Sequence, residues 1–382
     1  MKLLSKLFLL LFAATSCSAS SPEGGDAGEA AVSTSPETLL CEAAGGSITF
    51  NVTATAAFQA YAADDCSSWV SGVNPSYSAQ SSGAVTVTCL ENLSKNDRTG
   101  TIVIKCGTLR HKVALTQSGV SESPITCPLE GYSLVWHDEF DGSSVNTSNW
   151  KFENWTKGWV NNELQYYVAG GEFDGVQTAC VADDILSITA SKYNGSKKFS
   201  CNNSSYDISG QVISARMNTR SSWKYGYMEA RISLPKGKGT WPAFWMMPTD
   251  QSDGWPTCGE IDIMEEVGVR ANYTSSSVHT YSYNHTKGTQ KTKEVYTAGA
   301  EGSFQIYACE WTQDYIRFYT NGVKTLEFTN DGKSNKNTWP FNKAFYITLN
   351  LAWGGDWGGM SGVDESALPC TMKVDYVRVF QK

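Results

Sequence analysis

Histidine is scarce in this chain of 382 residues: His111, His137, His279 and His285 are the whole supply. None stands at zinc-ligand spacing from a cysteine, so a histidine-based metal centre is not expected. Positive charge is also short. Thirty Lys and Arg face 38 Asp and Glu, giving a net charge of −8 and a pI near 5.2. That is the wrong sign for a nucleic-acid footprint, and no nucleic-acid partner is expected. No apolar run approaches the roughly 20 residues that cross a bilayer as a helix. Long amphipathic helical repeats are missing as well.

Aromatic residues are what the chain does have. Thirteen Trp, eighteen Tyr and fifteen Phe make 12% of it. Trp is costly to bury fully and useful as a flat surface. It suits the C–H faces of pyranose rings, and it equally suits a large β-core in need of bulky filler. Composition does not choose between these.

The first residues read as an export signal. Lys2 and Lys6 precede a short apolar run over residues 7–14, too short to span a bilayer. Ala14-Thr15-Ser16-Cys17 resembles a bacterial lipobox, with Ala where an aliphatic residue is usual. The resemblance implies removal of the signal (residues 1–17) at Cys17 and lipid attachment there. The protein would then be anchored to a bacterial membrane at the cell surface, touching lipid through the anchor only. A plain cleaved signal would instead make it periplasmic or secreted. Ser, Gly, Ala, Pro and acidic residues fill 18–37, a composition that predicts a flexible tether. Ten cysteines follow Cys17. In an exported protein they could pair, or they could remain buried thiols.

Short alternating runs mark residues 38–119 as a small Ig-like β-sandwich: Ser47-Ile48-Thr49-Phe50-Asn51-Val52, Ala84-Val85-Thr86-Val87-Thr88, Gly100-Thr101-Ile102-Val103-Ile104 and Lys112-Val113-Ala114-Leu115-Thr116. This region resembles a BACON-type domain, which implies either glycan binding or a spacer. Residues 120–131 read as a linker. The remainder, 132–382, reads as one all-β domain. Strand patterns recur at Ile185-Leu186-Ser187-Ile188-Thr189, Tyr227-Met228-Glu229-Ala230-Arg231-Ile232, Tyr315-Ile316-Arg317-Phe318-Tyr319 and Lys373-Val374-Asp375-Tyr376-Val377-Arg378-Val379. Asn321-Gly322 between alternating runs signals a hairpin. A sandwich of two antiparallel sheets is the expected architecture.

The chemistry concentrates in Gly259-Glu260-Ile261-Asp262-Ile263-Met264-Glu265-Glu266-Val267-Gly268. On a strand, Glu260 and Asp262 share one face. Like charges so close couple their titrations. Strict alternation would put Glu266 on that acidic face and bury Glu265. A β-bulge would reverse this. Burying Glu265 unpaired would be costly, which favours the bulge.

This segment resembles the E-x-D-x-x-E signature of glycoside hydrolase family 16 in its laminarinase-like branch. Further matching stretches are Trp136-His137-Asp138-Glu139-Phe140, Asn161-Asn162-Glu163-Leu164-Gln165-Tyr166-Tyr167 and Gly239-Thr240-Trp241-Pro242-Ala243-Phe244-Trp245. The resemblance implies a concanavalin-like β-jelly roll with a long open cleft. It implies a retaining, endo-acting glycoside hydrolase with Glu260 as nucleophile, Glu265 as general acid/base and Asp262 holding the nucleophile between them. Such enzymes need their two carboxyls about 5–5.5 Å apart. By the same resemblance Trp241 and Trp245 stack on sugars. Asn161, Arg220 and His279 hydrogen-bond sugar hydroxyls, and Trp255 lines the cleft. Glu139 and Asp375 match positions that bind a structural calcium, and catalysis needs no cofactor. Glu266 stands where many relatives have His. The implied substrate is β-1,3-glucan (laminarin) or mixed-linkage β-1,3/1,4-glucan, cut by a monomer. Two alternatives stay open: an endo-β-galactosidase acting on mucin-type O-glycans or galactan, and a non-catalytic glycan-binding protein. The Trp-rich segment 349–359 is a candidate subsite.

Overall fold

A computed structural model describes residues 30–120 and 124–382. The signal segment and Cys17 lie outside the described residues. The chain folds as two compact units that divide close to residue 118.

The first unit is a sandwich of a four-stranded and a five-stranded sheet. Alternation sends Phe50, Val52, Val85, Val87, Ile102, Ile104, Val113 and Leu115 into the space between them. One expectation fails here. Val32–Ser35, inside the predicted tether, is an edge strand paired antiparallel with Gly46–Ala54. Val-Ser-Thr-Ser has too few apolar residues to form a core of its own. An edge strand needs little burial, and here Thr34 alone is buried.

The second unit is two packed sheets, antiparallel but for the pairing of Gln165–Tyr167 with Val212–Ser214: the sandwich expected from the strand pattern and the jelly roll implied by the family resemblance. Seven strands build the sheet that carries the site: β1 (Trp150–Phe152), β2 (Arg216–Thr219), β3 (Thr240–Pro248), β4 (Glu260–Glu266), β5 (Tyr273–His279), β6 (Lys291–Tyr296) and β7 (Phe345–Trp353). Their order is β1-β2-β7-β3-β4-β5-β6. A ten-stranded sheet, centred on Cys370–Gln381 and Gly226–Ser233, backs it. Met228, Ala230, Ile232, Val374 and Val377 from the backing sheet share one core with Phe244, Met246, Ile261, Ile347 and Leu349. Burying each of these Val, Ile, Leu, Met and Phe side chains contributes roughly 1.5–3 kcal/mol. The Asn321-Gly322 hairpin forms as expected, with both residues at positive φ (49° and 76°), as a type I′ turn requires.

The predicted linker 120–131 is partly anchored. Ile125, Cys127 and Leu129 pack on Tyr227, Ala308 and Phe380. All ten described cysteines are unpaired thiols.

Candidate active site

Strand β4 carries the acids, and its register with β5 decides where they point. Glu260 lies opposite His279, Asp262 opposite Ser277 and Glu265 opposite Ser275. Between Asp262 and Glu265, β4 spends one residue more than β5. This is a β-bulge. It sends Ile263 and Met264 both into the core and returns Glu265 to the face of Glu260 and Asp262. The three acids thus occupy successive same-face positions. The Ile263 carbonyl, at the bulge, accepts a hydrogen bond from buried Ser276 Oγ at 2.8 Å.

The acids open into a cavity of about 480 Å³, lined also by Asn161, Trp241, Trp245 and His279. A second cavity of about 480 Å³ shares Asn161, Arg216, Trp245 and Glu260 with it and adds Trp155, Trp159 and Trp255. The result is a long trough floored by carboxylates and walled by indoles.

Each glutamate receives an indole N–H. Trp255 Nε1 donates to Glu260 Oε2 at 2.6 Å, and Trp241 Nε1 donates to Glu265 Oε1 at 2.9 Å. Burial pushes Glu265 up to about 7; the Trp241 bond opposes this, and the Glu260 charge adds to it. Asp262 is held well above the usual carboxylate range, first by burial and then by the charges of Glu260 and Glu265. This favours its protonated form, which shares a hydrogen bond with Glu260. His279 Nε2 stands 3.2 Å from Asp262 Oδ2. Glu260, Asp262 and His279 are close enough to hold a divalent ion. An ion there would occupy the oxygens that the chemistry needs and so would compete with it. In sum, the trough offers one carboxylate braced by a neutral acid, beside a second carboxyl that is half protonated near neutral pH. That is the equipment for double displacement at an acetal carbon.

The family model for Glycosyl hydrolases family 16 matches residues 174–378, and that for BACON, a putative N-terminal binding domain, matches 59–118. The chain is 39% identical to the Beta-glucanase of Rhodothermus marinus over 262 residues, covering 65% of this chain and 85% of that protein. It is 34% identical to Glucan endo-1,3-beta-glucosidase A1 of Niallia circulans, over 68% of this chain and 39% of that protein. The crystal structure of SCLam, a non-specific endo-beta-1,3(4)-glucanase, superposes with a TM-score of 0.60 at 41% identity, over 68% of this chain and 94% of that one. The chain belongs to glycoside hydrolase family 16.

Against that family frame, the trough brings together Glu260, Asp262, Glu265, Asn161, Trp241, Trp245, Trp255 and His279. It leaves out Arg220. This residue lies past the end of β2, its Nε donates to the Thr147 carbonyl at 2.7 Å, and it edges a shallow depression beside Lys151. The guanidinium in this family 16 cleft is Arg216, four residues earlier. It is buried and lies over the rings of both Trp159 (5.0 Å) and Trp245 (4.7 Å). The signal was available as alternation, since Met217 faces the core while Arg216 and Asn218 line the trough.

The calcium expectation also fails. Glu139 accepts from both Arg378 Nε (2.9 Å) and Nη2 (2.7 Å). Asp375 accepts from Arg231 Nη1 at 2.7 Å. Each carboxylate already has a guanidinium partner, so the pair does not fit a divalent ion.

Several trough residues escaped sequence reasoning: Glu163, Arg216, His285, Asn350 and Trp159. The Trp-rich segment divides. Trp353 is buried in the core, while Trp357, on the helical turn Gly355–Gly358, lines the trough and packs edge-on to Trp241 at 5.5 Å. Asn161 and Asn162 both adopt positive φ (49° and 51°), which asparagine tolerates better than most residues. The Asn161 carbonyl accepts from Asp356 N, stapling this loop to that turn.

The Trp241 bond makes a testable claim. An N–H donor favours the ionised form of Glu265. Trp241→Phe therefore moves the alkaline limb of the kcat/KM profile upward from near pH 7. The check is a pH–rate series on a soluble substrate; a limb that stays put or falls contradicts the assignment.

Proposed function

We propose that this protein is a retaining endo-β-glucanase that cuts β-1,3-glucan or mixed-linkage β-1,3/1,4-glucan. The observation that carries the reading is the bulged strand, which presents Glu260, Asp262 and Glu265 on one face of a long open trough. An open trough suits internal cleavage, because a chain can lie across it without threading an end.

Glu260 attacks the anomeric carbon, and the bond from that carbon to the glycosidic oxygen breaks. Glu265 gives its proton to the departing oxygen. Water then attacks the glycosyl-enzyme, Glu265 takes a proton from it, and Glu260 leaves as carboxylate. Asp262, neutral between them, donates to Glu260 and adds no third charge to the site. Trp241, Trp245, Trp255 and Arg216 bind and orient the sugars. No metal or organic cofactor takes part.

The glucan assignment is supported by the names of the relatives above; galactosyl substrates are the second reading, since loops set which hydroxyls each subsite accepts. The test is a product screen on laminarin, mixed-linkage glucan, galactan and mucin O-glycans. Short β-glucan products from the wild type, absent with Glu260→Gln, support the proposal. Products from galactosyl substrates alone would move the substrate and keep the mechanism.

Activity is expected to fall as pH rises through about 7, where Glu265 loses the proton it must donate. We also propose export as a monomer, with lipid attachment at Cys17. Metabolic labelling with a radioactive fatty acid should mark the wild type and miss Cys17→Ala. The first unit then serves as a spacer or a second glycan contact.

A further inference from the structure

Trp245 is held by more than its strand. Its indole Nε1, a donor only, gives its proton to Asn350 Oδ1 at 2.7 Å. This fixes which way the Asn350 amide faces. Its Nδ2 donates to Tyr167 Oη at 3.1 Å. With that lone pair taken, the Tyr167 hydroxyl spends its own proton on Glu163 Oε2 at 3.2 Å. Gln165 converges on the same oxygen: its Oε1 accepts from the Trp353 amide at 2.7 Å, so its Nε2 must face Glu163, at 2.6 Å. Every donor in the chain runs one way, from the trough wall inward, and it ends on Glu163. The two donors that meet on Oε2 need an acceptor there, which a carboxylate or an amide oxygen supplies.

The relay is buried throughout. Glu163, Gln165, Tyr167 and Asn350 are each less than a tenth exposed. Residues 163, 165 and 167 alternate toward one side, as a strand dictates. On the trough side, Arg216 lies over the Trp245 ring; burial holds Glu163 above the usual carboxylate range, and the bond from Gln165 and the Arg216 charge oppose that rise. The indole is thus fixed by its edge, through the relay to Glu163, and by its face, against Arg216.

We propose that Glu163 is a positioning residue for substrate binding: through Tyr167 and Asn350 it sets the plane of the Trp245 platform. It does not touch the reacting atoms. The inference rests on the reading of the trough as a sugar site, so its test has a readout independent of that reading.

In protein labelled with 15N, the Trp245 indole N–H resonance is identified by its loss in Trp245→Phe. It should move in Tyr167→Phe and in Glu163→Ala with no sugar present, and return toward the wild-type position in Glu163→Gln, whose amide oxygen can still accept. On whichever polysaccharide the wild type cleaves, Tyr167→Phe and Glu163→Ala should raise KM about three- to tenfold, the size of one or two buried hydrogen bonds. Glu163→Gln should recover most of that, with kcat changing less than KM in all three. Tyr167→Phe preserves volume and guards against a variant that merely misfolds. An unmoved indole resonance in a folded Tyr167→Phe overturns the relay. A loss confined to kcat overturns the positioning role. A moved resonance with no cleavage of any substrate, even by the wild type, sinks the functional reading and leaves the relay standing.

Discussion

Glu260→Ala should lower kcat by about four orders of magnitude or more, because no other group near the anomeric carbon can form the covalent intermediate. Added azide should then restore turnover on a substrate with a good leaving group. The small anion enters the space left by the carboxylate, and the product is the α-glycosyl azide, inverted relative to the β-linked substrate. Glu265→Ala should behave differently. Loss of a general acid costs about 10²–10⁴-fold, and least where the leaving group needs no proton. Azide here attacks the glycosyl-enzyme, and the product is the β-glycosyl azide, with configuration retained. The two products, separated by NMR coupling constants, assign the two roles without relying on rates. Identical stereochemistry from both variants would contradict the assignment.

Glu266→Gln should flatten the pH dependence of stability. Glu266 sits on the far side of the strand from the trough and is fully buried. The Asn272 backbone N–H donates to its Oε1 at 2.7 Å, while Oε2 has no hydrogen-bond partner among the described residues. Burial first, and then the charge of Glu301, push it up to about 8 from an ordinary 4.5. Its folded value is raised, so the folded state holds this proton more tightly than the unfolded chain does. The stability it contributes is full below about pH 4.5 and is lost as pH rises through about 8. At 1.36 kcal/mol per unit the loss is on the order of 4–5 kcal/mol. Gln cannot ionise and can still accept from Asn272. Denaturant or thermal melts between pH 4.5 and 8.5 should therefore fall less steeply for Glu266→Gln than for the wild type. Parallel curves would show that Glu266 does not carry this proton.

These two neighbours, Glu265 and Glu266, show how far the sequence could be read. Strict alternation would have exchanged their places. The cost of burying an unpaired carboxylate pointed to the bulge, yet Glu266 is buried all the same. It survives there by keeping its proton, an outcome set by its burial and by the charge of Glu301 from elsewhere in the chain, against the opposing Asn272 N–H. Arg216 and Arg220 tell a similar story. Alternation alone would put both on one face, but only Arg216 lies on β2, and its pairing with β7 carries it into the trough.

The sequence by itself determined the all-β class, the two-unit layout and the family. Each follows from local information: period-two alternation, turn residues, and a catalytic motif whose members are neighbours on one strand. The tertiary structure alone decided the rest. It gave Glu139 and Asp375 each an arginine partner in place of a shared ion, turned Trp353 inward and Trp357 outward, and joined Glu163 to Trp245 through Tyr167 and Asn350. Those outcomes depend on contacts between residues as many as 239 positions apart. A short-range pattern carries no record of them, because they are fixed only when the sheets pack.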